Sequence, residues 1–223
     1  MFDWQWGYTL EIMPRLLQAT LNTLKAAGLG YGIAVLLGLP LALLQRTHSR
    51  GLTLAVRELM EFVRSTPLVL QIFFVFYVGP QFGLRLSPWT SGMIAIGLHY
   101  ATYLSEVFRS GLEAVPRGQW EACKALNLGT ARTYGRIVIP QAVPVCLPGM
   151  GNYLVGILKD TPMLSVIGVA ELMHTANALG SETYRFLEPY TLVGIIFLAL
   201  SLPAAAGFRF LETRVRRRLN MDR

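Results

Sequence analysis

Residues 26–45 read AAGLGYGIAVLLGLPLALLQ, an uninterrupted stretch without a charged side chain. A membrane helix needs roughly 20 such residues to cross the hydrocarbon layer of a bilayer. Soluble domains have about 25% charged residues, whereas this chain has 15% and is 53% hydrophobic. The stretch therefore predicts a membrane-spanning helix. Its glycines predict close contact with a neighbouring helix, unless they reflect the ordinary glycine enrichment of such helices; they are Gly28, Gly30, Gly32 and Gly38.

Four further charge-free stretches of similar length follow along the chain, at residues 65–84, 86–105, 137–158 and 189–208. A soluble α/β protein interrupts its apolar runs far sooner. The pattern predicts an all-α, polytopic membrane protein with five transmembrane helices, in a single transmembrane domain that covers residues 1–223.

Basic residues are distributed unevenly around these stretches. Fifteen of the twenty Lys and Arg follow the first span, lie between the third and fourth, or follow the fifth. In a five-span arrangement these three regions are on one side, which the positive-inside rule makes cytoplasmic. We therefore expect Met1 outside and Arg223 inside. Nucleic-acid binding is a weaker explanation, because these residues flank spans and no aromatic platform is interleaved with them.

The long loop between the third and fourth spans has the pattern of a helix–turn–helix. Residues 118–126 predict a short helix, which Asn127 and Gly129 can end in left-handed conformations. Thr130 can cap a second short helix, and Pro140 then restarts the chain at the membrane. A helix–turn–helix held at a basic cytoplasmic face predicts a docking surface for a partner.

A Ser or Thr directly before a proline is a helix start signal, and it occurs at Thr66, Ser87 and Thr161. The segment after Thr161 is apolar over residues 165–179 but contains a glutamate and a histidine. It predicts a short helix that does not cross the membrane completely, since broken helices at membrane depth are tolerated where they are buried or wet.

The long loop resembles the EAA loop of ABC-importer permeases, whose pattern is Glu-Ala-Ala, three residues, Gly, nine residues, Ile, one residue, Leu-Pro. Four positions match this pattern in register: Glu121, Ala122, Ile137 and Pro140. Three positions depart from it: Cys123 for Ala, Asn127 for Gly and Ile139 for Leu. Asn is the next-best residue after Gly in a left-handed turn, so the loop geometry is retained.

Three more blocks, residues 62–71, 106–111 and 159–161, resemble the polar amino-acid branch of these permeases, which includes histidine, glutamate, glutamine, arginine and opine importers. The resemblance covers nearly the whole chain. It implies a type I ABC importer permease fold in the bacterial inner membrane. The implied function is transport of a polar amino acid or related small zwitterion, with no enzymatic activity in this chain.

The resemblance also implies partners. They are a second permease copy, in a homo- or heterodimer, ATPase subunits on the cytoplasmic side and an extracytoplasmic solute-binding protein. The sequence contains no GxxxxGK[ST] motif to cradle phosphates. We therefore expect no cofactor in this chain, with ATP and Mg bound by the ATPase, which would couple to the permease through loop 113–140.

Site residues are assigned from the same blocks. The expected ATPase-coupling residues are Gly118, Glu121, Ala122, Cys123, Asn127, Gly129 and Pro140. The expected solute-pathway residues are Asp160, Lys159, Thr161, Thr66, Gln71 and His99. Glu106 and Arg109, three residues apart on a helix, are expected to form a structural ion pair. No spacing of His, Cys or acidic residues predicts a metal site.

Two pathway residues have alternative explanations. A carboxylate within the membrane costs at least ~2.5 kcal/mol without a partner or water, so Asp160 either faces a wet pathway, where it could hold an ammonium group, or caps the helix that begins near Pro162. Lys159 is an imperfect partner, because successive helical residues point in different directions. His99 either serves transport or hydrogen-bonds a neighbouring helix.

Other functional classes fit less well. An ion-coupled secondary transporter, the main alternative, usually has internal repeats and more spans. A membrane enzyme would need clustered catalytic groups, and an ion channel would need a recognisable selectivity filter. None of these signatures is visible in the sequence.

Overall fold

The computed structural model describes residues 4–47 and 49–218, without the side chain of Arg216. Within these ranges every regular element is helical. Met1 and Arg223, whose sides of the membrane were predicted, lie outside the described residues. The α-helices in chain order are α1 (Trp6–Leu44), α2 (Arg50–Ser65), α3 (Leu68–Phe73), α4 (Pro88–Glu113), α5 (Arg117–Ala125), α6 (Thr130–Thr133), α7 (Ile139–Asp160), α8 (Leu172–Thr183) and α9 (Leu187–Arg218).

Three helical stretches of the described chain are long and apolar enough to cross a membrane: Trp6–Leu44, Thr130–Ile167 and Leu187–Val215. A fourth is added if α2 and the segment Leu68–Phe82, which meet at a bend of 102°, count as one broken span. Helix α4 is less apolar than these stretches and is not among them, because polar side chains such as His99 and Tyr103 occupy its middle. The coarse prediction of an all-α membrane protein is confirmed, and the count of five spans stays a prediction.

Helices α1 and α4 pack along each other at the centre of the fold, and two of the predicted contact glycines explain how. A Cβ atom on Gly30 would lie 2.8 Å from Ile96, and one on Gly38 would lie 3.1 Å from the Ala101 carbonyl oxygen. A side chain at either position would require the neighbouring atoms to shift. The other two glycines, Gly28 and Gly32, have no such neighbour within 4 Å.

The first half of α1 packs against α8 at one end of the molecule. The hydroxyls of Tyr8 and Thr183 lie 2.8 Å apart, and Arg15 forms an ion pair with Glu182 at 3.0 Å. The Arg15 guanidinium lowers the pKa of the exposed Glu182 carboxyl by hydrogen bonding and charge attraction. This half of α1 continues into the first predicted span without a break.

The residues that directly follow α1 lie at the opposite end of the molecule, beside the long loop. The Arg46 guanidinium is 5.2 Å from the centre of the Trp120 ring in α5. The contact at Tyr8 and the contact at Trp120 are thus at opposite ends of α1, and the side of the membrane on which each end lies stays a prediction. A 39-residue helix is about 58 Å long, enough to cross a bilayer and extend beyond it.

The predicted helix starts are partly confirmed. The Ser87 hydroxyl accepts a hydrogen bond of 3.1 Å from the Thr90 amide and caps α4. Thr66 does not cap α3: it ends α2, and its hydroxyl donates back to the Phe62 carbonyl at 2.8 Å. The local helix satisfies the Thr66 hydroxyl, so α3 begins without a side-chain cap.

The short helix predicted over residues 165–179 begins later than expected. Residues Thr161–Ile167 continue from α7 as a 3-10 helix, and Gly168, at φ 80°, breaks the chain direction before α8. Glu171 then caps α8, because its carboxylate accepts hydrogen bonds from two backbone amides of the first turn. The glutamate taken as an interruption of the helix is thus its N-terminal cap.

Candidate solute pathway and coupling loop

A cavity of about 580 Å³ lies between α4 and α7 and brings together two of the predicted pathway residues, His99 and Asp160. Polar and aromatic side chains dominate its wall. The lining residues are His99, Tyr100, Tyr103, Val107, Gly149, Asn152, Tyr153, Gly156 and Asp160.

Asp160 is the last residue of α7 and reaches across to α4. Its Oδ2 atom accepts a hydrogen bond of 2.6 Å from the Tyr100 hydroxyl. The carboxylate makes no capping hydrogen bond to the turn that follows. The Tyr100 bond therefore fixes the carboxylate at the cavity wall.

Four rings surround the approach to this carboxylate. The centroids of Tyr103 and His99 are 5.2 Å apart, and those of Tyr103 and Tyr153 are 5.5 Å apart. Tyr100 lies 6.1 Å from both of the other tyrosines. Aromatic faces attract cations, so this cluster adds to the attraction that the carboxylate exerts.

The formal charge on the cavity wall is negative. Asp160 is the single carboxylate among the lining residues, and no Lys or Arg is among them. The buried Nδ1 atom of His99 has no hydrogen-bond partner within the described chain. The wall thus offers a fixed carboxylate and aromatic side chains to a polar solute.

Lys159 and Thr161, the sequence neighbours of Asp160, do not line this cavity. Lys159 is exposed and lines a separate groove of about 340 Å³ between α7 and α9. Thr161 is fully buried, and its hydroxyl donates to the Leu158 carbonyl at 2.8 Å. Their proposed contact with solute remains a prediction.

Thr66 and Gln71 lie at the bend between α2 and α3. The Gln71 amide donates to the carbonyl oxygens of Val63 and Thr66, at 2.7 and 2.9 Å, and so ties the two helices together. Both residues line a third, apolar groove with Phe62 and Leu70. The structure shows a bracing role for Gln71, and its role in solute passage remains a prediction.

Sequence reasoning missed most of the cavity wall. Tyr100 and Tyr103 are three residues apart on α4, while Gly149, Tyr153 and Gly156 precede Asp160 on α7 at helical spacing. That periodicity places each set on one helix face. The spacing was a usable signal, but knowing that the two faces meet required the packing of α4 against α7.

An ion-pair network joins α2 and α4 at the end near the loop. Arg109 pairs with Glu106 at 2.7 Å and with Glu113 at 2.8 Å. Arg64 of α2 lies 3.7 Å from Glu106 and 3.2 Å from Glu61. The structure thus contains the Glu106–Arg109 pair and extends it to the neighbouring helix.

The turn after α5 has the expected left-handed residue. Asn127 has φ 54°. Its amide donates to the Lys124 carbonyl and the Leu128 amide donates to the Cys123 carbonyl, each at 3.0 Å. These two bonds define a Schellman motif, which satisfies the last carbonyls of a helix.

Gly129, Thr130 and Pro140 differ from expectation in detail. Gly129 is extended, at φ −63°, and it precedes α6, so Thr130 is the first helical residue and not the cap. A single π-helical turn, Tyr134–Val138, then joins α6 to α7, so the chain stays helical from α6 into α7. Pro140 is the second residue of α7 and directly follows this turn, so it does not restart the helix.

Helix α5 has one buried face and one open face. Cys123 is 3% exposed, and the rings of Trp120 and Tyr134 meet edge to face, at 5.4 Å between centroids. The open face carries the remaining predicted coupling residues of the helix, Gly118, Glu121 and Ala122. At its end Leu126 leaves 71% of its surface exposed, although it is a large apolar residue.

Long apolar helices around a polar cavity, with a short exposed helix at one end, are typical of a membrane transport protein. Residues 34–217 match the family described as binding-protein-dependent transport system inner membrane component, and the chain belongs to that family.

Relatives of known class match over almost the whole chain. The chain is 39% identical to the probable amino-acid ABC transporter permease protein y4tG of Sinorhizobium fredii, over 97% of this chain and 96% of that one. It is 35% identical to the octopine transport system permease protein OccM of Rhizobium radiobacter, over 92% and 88% of the two chains. It is 30% identical to the probable glutamine ABC transporter permease protein GlnM of Bacillus subtilis, over 87% and 90%.

Solved structures agree with this assignment. A crystal structure of an amino acid ABC transporter with histidines superimposes with a TM-score of 0.86 and 30% identity, over 96% of this chain and 100% of that one. The MetNI methionine ABC transporter, in an inward-facing conformation, shares the fold with a TM-score of 0.78 over 92% and 98% of the two chains, at 16% identity.

The chain is therefore a membrane-embedded permease subunit of an ABC importer. ATP hydrolysis in these systems belongs to a separate subunit, and the family works with ATPase and binding-protein partners. The alternative of an ion-coupled secondary transporter finds no support among these relatives.

Proposed function

We propose that this permease carries a polar amino acid or a related small zwitterion across the bacterial inner membrane. Five spans, an external N-terminus and a cytoplasmic C-terminus fit the distribution of basic residues. The working unit contains a second permease copy, identical or homologous, and two ATPase subunits that bind ATP and Mg. A binding protein delivers solute from outside.

The observation that carries the solute class is the Asp160 carboxylate, fixed by Tyr100 beside a cluster of aromatic rings. An ammonium group fits this wall because it bonds a carboxylate and is attracted to aromatic faces. The wall has no Lys or Arg to pair with a solute carboxylate. Relatives are named for glutamine, octopine and nopaline transport, and each of these compounds carries a cationic nitrogen.

The open face of α5 supports the coupling role. Glu121 and Ala122 are exposed on it, and Leu126 offers an apolar anchor at its end. In the proposed cycle, closure of the ATPase subunits on ATP moves this helix, and the movement opens the solute pathway to the outside.

Asp160→Asn tests the solute proposal, because it keeps the size of the side chain and removes its charge. A hydrogen bond to a charged group is worth about 1.5–3 kcal/mol, so uptake at low solute concentration should fall by roughly 10- to 100-fold. Reconstituted uptake and co-purification of the ATPase are measured together. Glu58→Gln, which removes an exposed carboxylate from α2, is the matched control and should transport normally.

Two outcomes of this experiment contradict the proposal. Normal uptake by Asp160→Asn would mean that the carboxylate does not contact solute. Loss of ATPase co-purification in the same variant would mean that Asp160 serves assembly of the complex.

A further inference from the structure

Helix α2 has an apolar face that is not packed in the protein core and does not line the cavity between α4 and α7. Leu52, Ala55, Leu59 and Phe62 recur at helical spacing and so share one side. Leu59 is 60% exposed and Phe62 is 71% exposed. The contacts with the rest of the protein come from an adjacent face, where the buried residues of α2, Val56 and Met60, lie.

The opposite side of α2 is charged. It carries Arg50, Arg57, Glu58 and Glu61, with Leu54 among them. Because a helix turns by about 100° per residue, Leu54 lies ~140° around the helix from Leu59. The two leucines have nearly the same exposure, 59% and 60%, but they belong to opposite faces.

The bend at residues 66–67 fixes the orientation of these faces. Segment Leu68–Phe82 leaves α2 at 102°, so α2 lies nearly parallel to the membrane plane if that segment crosses the bilayer. Phe62 lines the same apolar groove as Leu70 and Phe74 of the crossing segment. The apolar face of α2 therefore points toward membrane depth, and its charged face points away.

We propose that α2 is a membrane-surface helix, whose apolar face is inserted among the lipids of the cytoplasmic leaflet. This rests on the proposed crossing of segment Leu68–Phe82. The 16 residues of α2 span about 24 Å and include five charges, so the helix cannot cross the membrane itself. A strongly amphipathic helix of this kind typically lies in the interface plane.

The lipid leaflet is the occupant that the geometry favours. The exposed face of α2 continues into the exposed apolar side chains of segment Leu68–Phe82, including Leu70 and Phe74. The same apolar surface thus runs along α2 in the plane of the membrane and then along segment Leu68–Phe82 into its depth, so that acyl chains can contact both parts.

The proposed anchoring has a consequence for the pathway. Gln71 braces the bend between α2 and α3, and Arg64 of α2 lies against Glu106 of α4. When α2 is anchored in the bilayer, these contacts also hold the end of α4 that lies near the long loop. Helix α4 carries Tyr100 and Tyr103 of the cavity wall.

Spin labels at two positions test the proposal in the assembled importer, reconstituted in lipid nanodiscs. Leu59→Cys places a label on the apolar face, and Leu54→Cys is the matched control on the charged face. Cys123 and Cys146 are buried, and the unsubstituted protein supplies the labelling blank. Collision rates with oxygen, which concentrates in lipid, and with a water-soluble nickel complex are compared at each position.

The label at position 59 should collide several-fold more with oxygen than with the nickel complex, and the label at position 54 should show the reverse. Low collision rates with both agents at position 59 would mean that a second permease copy or the ATPase covers this face. Dominant collisions with the nickel complex at position 59 would mean that it faces water. Either result overturns the proposal, and neither depends on contact between Asp160 and the solute, which the Asp160 variant tests separately.

Discussion

At the residue scale, the cavity depends on how one carboxylate is held. At the membrane depth of the proposed topology, an unpartnered aspartate costs about 2.5–3.5 kcal/mol on insertion scales. The hydrogen bond from Tyr100 to Asp160 can offset most of this, since a bond to a charged acceptor contributes about 1.5–3 kcal/mol. Only Oδ2 is engaged by Tyr100, so Oδ1 can receive a solute ammonium group.

The left-handed conformation of Asn127 fixes the direction in which the chain leaves α5, and it provides a second test at this scale. Asn127→Val places a β-branched residue at φ 54°, which costs on the order of 1–2 kcal/mol. We expect weaker assembly with the ATPase and lower stimulated ATP hydrolysis, while membrane insertion is retained. Co-purification with the ATPase and its hydrolysis rate are the measurements.

Asn127→Gly is the control for this variant, because glycine adopts the left-handed conformation without strain. It should behave like the unsubstituted protein. Equal behaviour of the valine and glycine variants would show that the turn does not contribute to coupling.

At the element scale, the packing of α1 on α4 depends on two glycines that face α4. Gly38→Val should destabilise the permease by about 1–3 kcal/mol, the usual cost of overpacking, because its Cβ would meet the Ala101 carbonyl and Leu104 at 3.1 Å. Gly32→Val on the same helix is the matched control, since no such neighbour lies within 4 Å.

Thermal unfolding of the purified permease in detergent measures both variants. The Gly38 variant should melt well below the unsubstituted protein, and the Gly32 variant should melt close to it. Similar melting of the two variants would contradict the tight packing of α1 on α4.

Helices could be predicted from the sequence where one local property decides them. Charge-free length marks a membrane helix, and the Ser87 cap depends on its own first turn. The cavity wall depends on which faces of α4 and α7 meet, and Thr161 is buried by packing that its neighbours in sequence do not encode. Thr66 shows the same limit, because its hydroxyl bonds the preceding helix instead of the following one.

At the scale of the whole molecule, the cavity and the coupling loop share their helices. Helix α4 carries the tyrosines and ends at Glu113, just before α5 begins at Arg117. On the other side of the loop, the helical run from Thr130 continues to Asp160, a length of about 46 Å. In the proposed cycle, displacement of α5 therefore acts on both walls of the cavity and gives the ATPase a mechanical route to the solute.

The most direct test of the account is to measure the energy source of transport. The permease, its ATPase and its binding protein are reconstituted in proteoliposomes, and uptake of a labelled polar amino acid is followed with and without ATP at the ATPase side. Uptake should require ATP and persist when ionophores collapse all ion gradients. Uptake that continues without ATP and stops when a gradient is collapsed would contradict the central claim that this chain is the permease of an ATP-driven importer.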